Sequence, residues 1–326
     1  MRLPRDRADA APQLSAVSVE TVLGRKVYPE GVTLMHEHLF LDLGLALNDE
    51  DLVLRDTSMV AGALSDASAL GLGLVVDATT VDQGRNVWAL AEISRRSGVD
   101  VIATTGFYRS LTMAPYLAER SPEVWASQMI AEIQVGIEGS DIRSGAIGEI
   151  GTEGETFLPA ERMNFVAAAY AQQETGVAIL THTPAGRFGV EQAEILIEHG
   201  ADPARICIGH VDCNVDIDYY GKLVDLGVWL GFDRAGVESY APDIDRWAAL
   251  AVIADRGWLG RVVISCDVAR RSRFADGSGA YRYAFTSFWD GIDALRDDDE
   301  AYCRVFHENP RALLGQTGAH AAGEST

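Results

Sequence analysis

Hydrophobic residues along the chain gather into eight short runs rich in Val, Ile and Leu, each with polar or small residues at or near its end: 31–39, 72–80, 99–107, 144–152, 176–184, 205–212, 227–233 and 261–267. Longer segments with helical spacing lie between them. Residues 159–176 and 190–200 are examples, each closing on the Gly favoured past a helix C-terminus. Runs that are apolar nearly throughout predict strands buried on both faces, and their alternation with helices predicts a parallel sheet. Eight such repeats with no separate second domain predict an α/β protein closed into a (β/α)8 TIM barrel. No GxGxxG turn follows the first run, which counts against a doubly wound dinucleotide-binding sheet. The barrel is expected over 15–315, between loose tails at 1–14 and 316–326 that are rich in Ala, Gly and polar residues.

Composition changes this picture little, whereas charge changes it more. With 48% hydrophobic and 23% charged residues, 326 residues suffice for one large core. A formal net charge of -21 repels nucleic-acid backbones and anionic membranes, so the expected partner is a small molecule. The charged N-terminus is followed by no apolar signal region, and no run approaches the roughly 18 apolar residues of a membrane span. Cys207, Cys213, Cys266 and Cys303 show no CxxC spacing and read as small core residues of a reducing compartment. The expected location is cytoplasmic.

Barrel chemistry sits at the C-terminal ends of the strands. His36 and His38 fall in the first run, Glu149 in the fourth, His182 in the fifth, His210 in the sixth and Asp267 at the end of the eighth. Alternation along a strand turns His36 and His38 to one side and Glu37 to the other. An HxH pair alone is weak, but four of the seven histidines lie on these strands, and His199, His307 and His320 fall in helix or tail. Burying such groups is costly unless a divalent metal compensates. Imidazole and carboxylate without thiolate suit Zn, Mn, Co or Fe(II), with zinc the default.

Arg270, Arg271 and Arg273 follow Asp267 and are expected over the barrel mouth. There a guanidinium grips a carboxylate, phosphate or sulfonate, or else pairs with the protein's own acids. Tyr108, beside Arg109 in the loop after the third strand, reads as a donor to a substrate carbonyl or as packing. Trp229 and Phe232 read as core. Residues 269–285, which contain Gly277 and Gly279, form a candidate lid.

At GVTLMHEHLF (31–40), GEIGTEG (148–154), THT (181–183), CIGHVD (207–212), CDVARRSRF (266–274) and ENPRALL (308–314), the sequence resembles the phosphotriesterase family of the amidohydrolase superfamily, from about Val17 to Leu314. The resemblance implies two metal ions, the more buried on His36, His38 and Asp267 and the more exposed on His182 and His210. Better-known members bridge the ions with a carbamylated lysine from strand 4; this chain has Glu149 there, as does the phosphotriesterase homology branch. Its only lysines, Lys26 and Lys222, are not placed to substitute.

The implied chemistry is attack by a hydroxide held between the ions on a polarised carbonyl or phosphoryl group, with Asp267 accepting the proton. The leading expectation is hydrolysis of a lactone or carboxylic ester bearing an anionic group. Alternatives are an amidase acting on N-acyl amino acids or sulfonates, a phosphotriesterase, and a binding protein without catalysis. The resemblance is compatible with a homodimer, although no sequence feature marks an interface.

Overall fold

All eight apolar runs form strands, and each strand is shorter than its run. The computed structural model describes residues 17–113, 120–277 and 279–316. The strands are β1 (Val32–Glu37), β2 (Leu72–Asp77), β3 (Asp100–Thr105), β4 (Ala146–Gly151), β5 (Ala178–His182), β6 (Ile206–Ile208), β7 (Trp229–Phe232) and β8 (Val262–Ile264). They pair in chain order in one parallel sheet. Helices follow the strands in sequence, including α1 (Thr57–Ser68), α2 (Val87–Ser97), α3 (Pro122–Gln134), α4 (Pro159–Thr175), α5 (Gly189–Glu198), α6 (Ile217–Asp225) and α7 (Asp243–Asp255). The expected glycine stop holds for α4, where Gly176 takes φ 70.

Alternation along the strands sorts the apolar side chains into two layers. Met35, Leu74, Val76, Ile102, Leu180, Cys207, Trp229 and Val263 fill the barrel interior, whereas Leu34, Val75, Val101, Ile147, Ile179, Ile208, Phe232 and Ile264 join the core that includes the helices. Trp229 and Phe232 are therefore core, as expected. Among the cysteines the expectation holds for Cys207 and Cys266 only: Cys213 is half-buried and Cys303 is exposed. Among the described residues no helix is long and apolar enough to cross a membrane.

The seam between β8 and β1 is joined largely by side chains. The Ser265 hydroxyl oxygen accepts from the Met35 and His36 amides at 2.7 and 3.1 Å. The Glu37 carboxylate accepts from the amides of Cys266 and Val268 at 2.7 and 2.9 Å, gripping the residues on either side of Asp267. A hairpin of Ser18–Thr21 and Gly24–Val27 precedes the barrel, too short to register as a periodic run. Its Ser18 bridges Gln316, so Gln316 is structured rather than tail; the rest of both expected tails, together with residues 15 and 16 of the expected barrel, lies outside the described residues.

Residues 269–285 fold into short 3-10 helices at Arg271–Phe274 and Ala280–Phe285. The segment is tied down at several points. The Ser272 amide and hydroxyl donate to Asp51 at 2.7 and 2.6 Å, Arg270 donates to Asp49 at 2.7 Å, and the Tyr281 hydroxyl donates to the His38 carbonyl at 2.9 Å.

Candidate metal centre

Strand ends bring all six expected residues together. His36, Glu149 and His182 lie on β1, β4 and β5, while His38, His210 and Asp267 lie just past β1, β6 and β8. The runs outlast the strands because the chain turns sharply at two of these positions: His210 and Asp267 hold φ 58 and φ 47, left-handed values that L side chains rarely take. Glu149 owes its place to its neighbour. Gly148 has φ 113, and a Cβ there would sit 2.0 Å from the Leu180 carbonyl oxygen.

Among the described residues three sets of three could hold a metal; His36, His210 and Asp233 form one, and the other two converge on one carboxylate. Of these two, His36, His38 and Glu149 form the first, and Glu149, His182 and His210 the second, the ligand atoms of each lying within 4.8 Å of one another. Glu149 Oε2 is 3.2 Å from His36 Nε2, 3.0 Å from His182 Nδ1 and 3.5 Å from His210 Nε2; Oε1 is 3.4 Å from His38 Nε2. That spread is close to the span of one coordination sphere with bonds of about 2.0–2.2 Å. His182 Nδ1 and His210 Nε2 also face each other at 2.8 Å. Ring nitrogens crowded against carboxylate oxygens in a buried site make a donor set that fits two divalent ions sharing Glu149. Both sets are buried, His210 completely, so the expected contrast between a buried and an exposed half is slight. Asp267 belongs to neither set: Oδ1 lies 3.2 Å from His38 Nε2, and Oδ2 lies 3.0 Å from Arg234 Nε.

Sequence reasoning missed the groups that aim these ligands. Asp233 ends the seventh run; its Oδ1 accepts from the His210 amide at 2.8 Å and from His210 Nδ1 at 2.7 Å, and its Oδ2 lies 3.2 Å from His36 Nδ1. Both rings thereby keep their Nδ1 proton and turn Nε2 toward Glu149. His38 Nδ1 donates to Thr79 Oγ1 at 2.8 Å, and that hydroxyl donates to Asp77 at 3.1 Å. Gln83 donates to Glu149 Oε1 at 2.8 Å. The usable signal for Asp233 was its position, a carboxylate at the C-terminal end of a barrel strand.

Electrostatics follow from this packing. Burial opposes an imidazolium at His36 and His38, but Asp233 and Glu149 beside the first, and Asp267 and Glu149 beside the second, outweigh it; both are raised, His38 to about 10. At His182 burial wins and the value falls to about 3. Burial likewise opposes ionisation of Glu149 and Asp267, yet the His182 ring beside the one and the Arg234 guanidinium beside the other hold both well below the usual carboxylate range. Because His38 binds a proton up to about pH 10, a metal ion must displace it at neutral pH, and affinity should climb as pH rises. Calorimetric titration of zinc into chelator-stripped protein at pH 7 should show release of about one proton or more per chain. An enthalpy independent of buffer ionisation would contradict this.

The cluster opens into a cavity of roughly 320 Å³ lined by His38, Gln83, Tyr108, Glu149, His182 and Asp267, with Arg109, Arg187, Arg234, Arg270 and Arg273 also on its wall. Of the three arginines expected there, Arg271 is exposed and not among the lining residues. The 3-10 geometry explains why: Arg270 and Arg273, three residues apart, share a face, and Arg271 is rotated about a third of a turn away. Each lining arginine has a carboxylate partner, Asp49 and Asp51 for Arg270 and Glu153 for Arg109 among them. The Tyr108 hydroxyl is 3.3 Å from the ring nitrogens of His182.

The sequence pattern of the Phosphotriesterase family matches residues 17–314. The phosphotriesterase homology protein of Escherichia coli (strain K12) is 38% identical over 286 residues, covering 86% of this chain and 97% of its own. A crystal structure of the phosphotriesterase homology protein from Escherichia coli, complexed with phosphate in its active site, aligns with a TM-score of 0.85 at 35% identity, covering 88% of this chain and 99% of the other. The lactonase Lmo2620 from Listeria monocytogenes aligns with a TM-score of 0.80 at 25% identity over 91% of this chain and 98% of its own. N-acetyltaurine hydrolase of Bos taurus is 26% identical over 341 residues, 91% of this chain and 97% of its own.

Proposed function

The chain belongs to the phosphotriesterase family and is a metal-dependent hydrolase, and from that premise we propose that its substrate is a lactone or other carboxylic ester bearing an anionic group. One observation carries this reading. In a chain of net charge -21, five arginines, each paired with a carboxylate, line the cavity, against two lining carboxylates, Glu149 of the metal sets and Asp267 beside His38.

In this reading His36, His38, Glu149, His182 and His210 would hold two divalent ions, with Asp267, the sixth expected ligand, beside His38. Such ions supply an activated water near neutral pH and a Lewis acid for the scissile carbonyl. Asp267, kept ionised by Arg234, accepts a proton and returns it to the leaving group. Burial and the Glu149 charge push the Tyr108 phenol well above its ordinary value, so it remains a neutral donor facing the substrate. The similarity to N-acetyltaurine hydrolase supports a second reading, an amidase acting on N-acylated amino acids or sulfonates. The same arginines would serve it.

One panel separates them: zinc- and manganese-loaded protein assayed on anionic and neutral lactones and esters, N-acyl amino acids and N-acyl sulfonates. Anionic esters or lactones should be favoured at least about tenfold in kcat/KM, the scale of one charge-assisted hydrogen bond. Arg187→Met and Arg270→Met should raise KM for anionic substrates by about tenfold, while Arg271→Met changes nothing. Equal turnover of neutral and anionic esters would refute the arginine reading, and preference for N-acyl compounds would install the amidase.

A further inference from the structure

Arginine side chains account for only part of the cavity wall. Leu41, Leu43, Leu47 and Leu52 line the same space, and all four come from the loop that follows β1. That loop is built rather than loose. Leu41–Asp42 pairs antiparallel with Val53–Leu54, Gly44–Leu47 forms one helical turn closed by Asn48 at φ 51, and the Leu43 amide donates to the Leu52 carbonyl at 3.0 Å. The bonds from Arg270 and Ser272 to Asp49 and Asp51 hold it against the strand-8 loop.

Leu41, Leu43, Leu52 and Leu54 pack with Tyr108 as a small core. Leu47 differs: it is only half-buried, and its neighbour Leu45 is 98% exposed and does not line the cavity. Guanidinium groups satisfy an anion but leave the half-buried Leu47 side chain wet, and only a hydrocarbon group on the ligand removes that surface from water.

We infer that the strand-1 loop is an apolar subsite, with Leu47 as its specificity-determining residue, that receives the hydrocarbon arm of an amphiphilic anionic substrate. This rests on the reading of the arginines given above. The cavity of roughly 320 Å³ holds about ten heavy atoms at about 30 Å³ each, which leaves room for an arm of about six carbons beyond a sulfonate-sized head.

Calorimetric titration of zinc-loaded protein with n-alkyl sulfonates from ethyl to decyl tests the subsite without depending on turnover. Kd should fall about threefold per methylene up to about hexyl and level off by decyl. Leu47→Ser should cut the dependence to less than about twofold per methylene, and Leu45→Ser should keep the wild-type slope. Equal affinity at every length, or an unchanged slope in Leu47→Ser, would overturn the subsite. Hexanol serves as the uncharged comparison. If hexanol binds as well as hexanesulfonate while the length dependence persists, the arginine reading fails and the subsite stands.

Discussion

Glu149→Gln should lower metal content from two ions per chain toward one and cut kcat by on the order of a thousandfold or more, with no recovery at saturating zinc or manganese. The expectation follows from position. Among the described residues Glu149 is the one carboxylate shared by two of the ligand sets, and four imidazole nitrogens lie within 3.5 Å of its two oxygens. An amide keeps the shape and removes the negative charge that brings two cations together. It also places an NH2 group against ring nitrogens or against the Gln83 amide, which now donates to Oε1 at 2.8 Å. Metal content by elemental analysis, read beside turnover on the best substrate of the panel, decides the matter. Two tightly bound ions with full activity in the variant would remove Glu149 from between them.

Much of this arrangement is legible in the residues alone. Barrel strands announce themselves because parallel strands are apolar on both faces, and the ligand histidines stand out because polar residues at the ends of such runs are costly without a purpose. What stayed hidden depends on three-dimensional approach. Asp77 and Thr79 serve His38 from β2 and the residues beyond it, and nothing in their spacing from His38 marks the partnership. Arg187 and Arg234 reach the cavity from the loops after β5 and β7, whereas the denser arginine group near Asp267 sends one member away because a 3-10 turn cannot face three of them inward. Glu37 was legible only as pointing away from the histidines; that it clamps the β8 seam required knowing that β1 and β8 are neighbours.

Asp233 offers the sharpest separation between holding a metal and aiming its ligands. Asp233→Asn should weaken metal affinity by about 10–100-fold yet leave activity largely recoverable at high metal concentration, unlike Glu149→Gln. Its carboxylate receives the Nδ1 sides of two different imidazoles and one backbone amide, all buried. An asparagine keeps one acceptor oxygen and turns an NH2 group toward the other ring, where a donor now meets a donor. Either His36 or His210 must then shift its proton from Nδ1 to Nε2, which occupies the lone pair a metal needs, or leave an N–H unsatisfied at a cost of about 1–3 kcal/mol. Thermal unfolding of the stripped variant should therefore show a modest loss of stability as well. Zinc titration followed by activity gives the decisive comparison: if Asp233→Asn stays inactive at saturating metal, Asp233 does more than orient, and if it binds zinc as tightly as the parent, the two rings are held by something else.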